Sequence, residues 1–125
     1  MELKTYPGSR MALLDARMVA LAWLSMLLAA TLWIVEQLLD VSALVPLLPV
    51  SVALFFITVI AHVVLSFRHA CPVCGKHPTI EGFGPVHENS RSQAMFTGWA
   101  GAVLNILKRR QLVCIQCGAH FTINA

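Results

Sequence analysis

Two stretches of the chain run without a formal charge: Met18 to Val35, eighteen residues, and Val41 to Phe67, twenty-seven, whose only titratable group is His62. A helix needs about 20 mainly apolar residues to cross the hydrocarbon layer, so each stretch predicts a transmembrane helix, the second with length to spare for tilt. Asp40 to Pro46 is barely a turn, which makes the two helices antiparallel neighbours. Pro46 falls where a helix start tolerates proline, and Pro49 is expected to bend the entry. Ala22, Ser25 and Ala29 form a stripe of small residues that lets another helix approach closely. That other helix is either the chain's own second helix or one from a foreign subunit, and the two readings weigh equally.

Beyond Phe67 the pattern changes. From Gln111 to Asn124 it alternates and is rich in β-formers, predicting a hairpin with Cys114 to Cys117 at its tip. A short strand is expected at Thr79 to Glu81, followed by a loop at Gly82-Phe-Gly-Pro85. Ser90-Arg-Ser-Gln93 has the form of a capping box and opens a helix over about residues 91–110. Its apolar positions, Met95, Phe96, Trp99, Ala102, Val103, Ile106 and Leu107, recur at helical spacing, with Thr97, Gly101, Asn105 and Lys108 opposite. Lys108-Arg109-Arg110 close it, where cations complement the helix dipole. Such a helix either covers a small sheet or lies in the membrane interface. In the second case Phe96 and Trp99 enter the acyl boundary while Lys108, Arg109 and Arg110 meet headgroups. The part of the chain from Cys71 onward starts four residues after a span, so the bilayer or a partner subunit is the favoured neighbour.

Composition agrees with a membrane chain: 58% hydrophobic and 12% charged, with mean hydropathy +0.73, is too apolar for an ordinary soluble domain. The first apolar run is read as retained rather than cleaved. A seventeen-residue leader containing Asp15 precedes it, and no small-x-small pattern follows Trp33-Ile-Val-Glu36-Gln37. Lys4, Arg10 and Arg17 lie before the first span and six basic residues lie after the second, while the connection has none. Both termini are therefore expected on the cytoplasmic side of a bacterial inner membrane or its equivalent.

The four cysteines form two Cys-x-x-Cys pairs, Cys71–Cys74 and Cys114–Cys117, each followed by glycine, Gly75 and Gly118. A reducing compartment keeps thiols free, and two such knuckles can close one tetrahedral ion. These two Cys-x-x-Cys-Gly segments resemble the rubredoxin-like knuckles of the zinc-ribbon superfamily, a resemblance covering roughly the C-terminal half. It implies structural Zn2+ held by Cys71, Cys74, Cys114 and Cys117, with iron, which takes the same ligands, as the second choice. His77 and His120 each stand three positions past a knuckle, where a ring N–H could support a thiolate. His69 and His87 complete the histidines of this part.

The expected architecture is thus a membrane α-helical hairpin followed by a small α+β zinc-ribbon domain with an inserted amphipathic helix. Its parts are an N-terminal segment (1–17), the hairpin (18–67) and the ribbon (68–125). His62 is the ionisable group inside a span, a position that raises the question of a ligand. A haem or chlorophyll-type pigment on its ring is the less favoured answer. A neutral histidine bonded to a backbone carbonyl, or reaching toward the headgroups, is the preferred one. With no nucleophile–base pair, phosphate loop or carboxylate pair, enzymatic activity is not expected. An accessory subunit packed on other integral membrane subunits ranks first, and a tether presenting the ribbon to a soluble protein or nucleic-acid partner second. Nucleic acid is the less expected of these partners, because positive charge near a membrane needs no further explanation.

Overall fold

The computed structural model describes residues 4–39, 42–81, 85–90 and 98–124. Five elements follow one another: α1 (Ser9–Leu39), α2 (Leu47–Arg68), α3 (Gly98–Arg109), β1 (Gln111–Val113) and β2 (His120–Thr122). Short 3₁₀ turns occupy Ser42–Leu44 and Glu88–Ser90.

α1 and α2 are both long and apolar enough to cross a membrane, and they pack side by side. Their seam is made of small residues. Ala22 and Ser25 are buried on α1, and Ser51, Thr58 and Ser66 on α2. Three of these hydroxyls bond back to their own helix, Ser25 to the Ala22 carbonyl, Ser51 to Leu48 and Thr58 to Leu54, so they need nothing from the partner helix. The stripe of small residues therefore serves the chain's own hairpin. Pro46 is the cap of α2, and Pro49 lies in its first turn, where a missing N–H removes no helical bond. Away from the seam the helices present large apolar side chains outward, Leu24, Leu27, Ile57 and Ile60 each about 60% exposed.

α1 starts at Ser9, well before the boundary at residue 18 drawn from charge alone. Its first three turns are not a leader but part of a core. Ala12, Leu13, Ala16 and Val19 are buried with Tyr6, Val103, Ile106, Leu112, Phe121 and Ile123. Residues before α1 belong to the same unit. Thr5 forms a parallel bridge with Thr122, the Tyr6 N–H donates to the Thr122 carbonyl at 2.9 Å, and the Thr122 N–H donates to Lys4 at 3.0 Å. Residues 4–6 thus run beside β2, joined to it by a single bridge and two backbone hydrogen bonds. Together, the described residues from about 69 to 124, this short segment and the start of α1 make one cap on the end of the hairpin.

The hairpin β1–β2 has the expected form, pairing antiparallel in register Gln111↔Thr122, Leu112↔Phe121 and Val113↔His120. The strand expected at Thr79 to Glu81 is absent, because these residues are held by side chains instead of a ladder. The Gln116 amide donates to the Ile80 carbonyl at 3.2 Å, and the Thr79 hydroxyl turns inward. α3 spans Gly98–Arg109, and residues 91–97, with Phe96 and most of the expected capping box, lie outside the described residues. The apolar face of α3 is inside the cap: Ala102, Val103 and Ile106 are fully buried, and Gly101, expected opposite them, is buried too. These side chains cover the sheet and α1, so they do not face lipid or a foreign subunit. Arg110 leaves the helix with φ 52°, a left-handed residue that turns the chain into β1. Its carbonyl is then fixed by the Ile123 N–H at 2.8 Å.

Candidate metal centre and the buried Asp15 network

Both knuckles have the same backbone. In the first, the Gly75 N–H donates to the Cys71 carbonyl and the Cys71 N–H to the Lys76 carbonyl, both at 2.8 Å. In the second, the Gly118 N–H donates to Cys114 at 2.8 Å and the Cys114 N–H to Ala119 at 2.9 Å. Gly75 and Gly118 have φ of 71° and 69°, the left-handed conformation that glycine adopts without strain. The repeated Cys-x-x-Cys-Gly pattern in the sequence is thus a repeated turn in space.

The two turns face each other so that all four sulfurs lie within 4.8 Å of one another. The pairs across the knuckles, Cys71–Cys117 and Cys74–Cys114, are both 3.7 Å apart. A regular tetrahedron with metal–sulfur bonds of about 2.3 Å has edges of about 3.8 Å, so the four sulfurs fit one ion. They are too far apart for disulfides, whose sulfurs lie about 2.05 Å apart. Burial pushes the Cys114 and Cys117 thiols up, against backbone N–H groups that pull the other way. At Cys74 the Lys76 N–H and the neighbouring thiols outweigh burial and lower it. A cation that displaces the thiol protons is what such a cluster accommodates.

The knuckles differ in what covers them. A side-chain carbon on Gly75 would meet nothing within 4 Å, whereas on Gly118 it would run into the His87 ring. His87 is held there by its N–H, which donates to the Ile115 carbonyl at 2.9 Å. Gly75→Ala should therefore cost only the backbone strain of about 1 kcal/mol. Gly118→Ala should cost about 1–3 kcal/mol more, because it also overpacks a filled site. Competition with a colorimetric chelator should release metal from Gly118→Ala first. Equal release from both variants would mean that His87 does not close the second knuckle. The His77 Nδ1–H donates to the His69 carbonyl (3.2 Å) and its ring packs edge-on against Phe67, while His120 is exposed on β2. Neither has a recorded bond to a thiolate.

No protein-family model, no curated protein and no solved structure matches this chain.

The second constellation was not singled out from sequence. Asp15 of α1 is completely buried. The His62 Nδ1–H donates to its Oδ1 at 2.6 Å, and the Ser66 hydroxyl reaches both oxygens at 3.1 Å. The Thr79 hydroxyl donates to Oδ2 at 3.1 Å, and His69 Nε2 lies 3.3 Å from the same oxygen. Tyr6 extends the network. Its hydroxyl donates to the Ala70 carbonyl at 3.0 Å and lies 3.2 Å from His69 Nδ1. Burial raises the Tyr6 phenol far above its ordinary value, and the Cys71 and Cys114 sulfurs raise it further. His62 is thus neither bonded to a backbone carbonyl nor turned outward, as its sequence context suggested, but paired with an acid from the other helix. Counting equal distances from residues 40–46 sets Asp15 opposite Cys71, within reach of His69 but more than two turns from His62, so the pairing with His62 was not legible from the hairpin alone.

Trp99 is half-buried, packing on Trp23 with ring centroids 5.8 Å apart and near His62 at 6.5 Å. Lys108 and Arg110 are exposed at the far end of α3, with Arg109 between them.

Proposed function

We propose that this chain is a two-span membrane protein that serves as an accessory subunit of a larger membrane assembly, with a structural zinc ion fixing a cap at one end of its hairpin. The observation that carries this reading is the rigid attachment of the cap. Asp15 joins α1 to α2 through His62 and Ser66, and to the loops around the first knuckle through His69 and Thr79. The bridge at Thr5 and the core residues of α1 add a second attachment. A tether would need a mobile domain to present cargo. Here the ribbon is part of the helix hairpin.

Exposure supports the membrane. Only 17% of the most apolar window of α1 and 11% of that of α2 is buried, whereas a core helix of a soluble protein is mostly buried. The first turns of α1 carry core residues of the cap, which fits a helix kept in the protein rather than removed as a signal. The positive charges flanking the hairpin then orient the cap toward the cytoplasm of an inner membrane. Zinc is chosen over iron because a closed, redox-silent tetrahedron suits a bracing role. Two helices that bury only small residues against each other leave wide apolar faces, which fit other integral subunits as well as lipid.

Gentle detergent extraction followed by native electrophoresis tests the subunit reading. The chain should co-migrate with larger membrane proteins and separate from them only under harsher detergent. Migration as a lone hairpin after mild extraction would exclude it. In that case, salt-sensitive capture of a soluble protein on the cap would favour the tether.

A further inference from the structure

A groove of about 540 Å³ opens between α1, α2 and the start of α3. Its volume lies in the range of sites that hold one small ligand. Its walls are apolar, with the aromatic rings of Trp23, Phe55, Phe67 and Trp99 beside Met26 and Val59. Trp23 and Trp99 pack on each other at 5.8 Å, so they make a single wall instead of the two sides of a cage for a cation.

The polar end of the groove is formed by His62, Ser66, Thr79 and Glu81. A carboxylate can only accept, so the bond from His62 Nδ1 to Asp15 places a ring hydrogen on Nδ1, and in the neutral ring Nε2 is then the acceptor. Asp15 is fully buried while the His62 side chain is 20% exposed, so the ring edge that the groove can reach is the one carrying Nε2. Among the described residues nothing bonds to that nitrogen. The hydroxyls of Ser66 and Thr79 have spent their hydrogens on Asp15. The Glu81 carboxylate lies at the start of α3, in space that only a glycine at position 98 leaves open, 2.9 Å from where a side-chain carbon would stand. With that ring neutral, each of these described groups is an acceptor. Among the described lining residues there is no lysine or arginine. Such an end suits a ligand that brings a hydrogen-bond donor, and an anionic headgroup would meet the Glu81 carboxylate.

We propose that this groove binds one lipid-soluble phenol of the hydroquinone type, its ring against the tryptophan wall and its O–H donating to His62 Nε2. The apolar tail then lies along α1 and α2 toward Met26 and Phe55, about ten residues or 16 Å of helix from the Ser66 end. Asp15 acts as a positioning residue. It fixes the tautomer and the orientation of the imidazole, as a carboxylate behind a histidine does in other sites.

Tryptophan-fluorescence titrations of the full chain in lipid nanodiscs test this with 4-octylphenol, its methyl ether, octanoate and octyltrimethylammonium. The phenol should bind about tenfold more tightly than the ether, which keeps the ring but lacks the donor. His62→Asn retains an N–H toward Asp15 and places nothing at Nε2, so it should reduce the phenol to the affinity of the ether. Val59→Phe fills the groove without touching the Asp15 network and should weaken both. Equal binding of phenol and ether to the wild type would overturn the proposal. So would unchanged binding in Val59→Phe, or tighter binding of either charged amphiphile. Should His62→Asn fail to fold, the ether comparison and Val59→Phe decide the matter by themselves.

Discussion

Stripping the metal from the chain, or replacing Cys114 by serine, should unfold the cap and leave the two long helices in place. The cap has two strands of three residues each and a helix of twelve. A module so small rarely holds on its apolar core alone. A structural zinc site contributes on the order of 10–16 kcal/mol of apparent binding free energy at neutral pH, which is comparable to or larger than the whole stability of a small domain. Cys114 is the most consequential ligand to lose, since it is fully buried in the same cluster as Leu112 and Phe121. The backbone bonds of α2, by contrast, close within the helix and depend on no ion. Hydrogen exchange in detergent should show protection lost over Gly98–Arg109 and β1 after chelation, with Leu47–Arg68 still protected. If the cap stays protected after a confirmed loss of the ion, or if no stoichiometric zinc or iron is found in the folded protein, the metal has no structural role.

The second large effect is expected at Asp15. Its carboxylate gathers His62, Ser66, His69 and Thr79. Asp15→Ala strands all of them in a buried place, and breaking a buried charged network in this way costs about 3–5 kcal/mol. Asp15→Asn keeps the volume and one acceptor oxygen, so its loss should be smaller. The midpoints of thermal unfolding in mild detergent should rank wild type, Asn, Ala. Proteolysis should become faster at the junction between α2 and the first knuckle. An alanine variant as stable as the wild type would show that cap and hairpin are held together by the apolar core alone.

Much of this architecture is written in short-range pattern. The helix pair follows from two uncharged runs, and the second knuckle from alternation around Cys114 and Cys117. Those signals are local, so they can be read without knowing what lies nearby. The start of α1 could not be read this way. Asp15 and Arg17 look like the edge of a span when counted as charges, and only the donors from α2 and the knuckle loop explain why an acid can be buried there. Thr79 looked like a strand residue for the same reason: β-propensity describes its preference, and the carboxylate across the hairpin decides its use. The apolar stripe of α3 was legible, but its destination was not, since periodicity says that one face is covered and not by what. The four cysteines needed no such context, because the spacing of thiols and glycines already contains the turns that bring the sulfurs together.

The bridge between Thr5 and Thr122 has a consequence for how the protein is made. Thr5 leaves the ribosome long before its partner exists, and Cys71 and Cys74 likewise precede Cys114 and Cys117. Once the hairpin is complete the cap is still only half present, its first pair of thiols open beside a helix end whose Asp15 already has His62, Ser66 and His69 within reach. Closure is therefore a late event that draws the early and late parts of the chain together. With an ion at the four sulfurs, as proposed, the supply of metal would set how long the cap stays open.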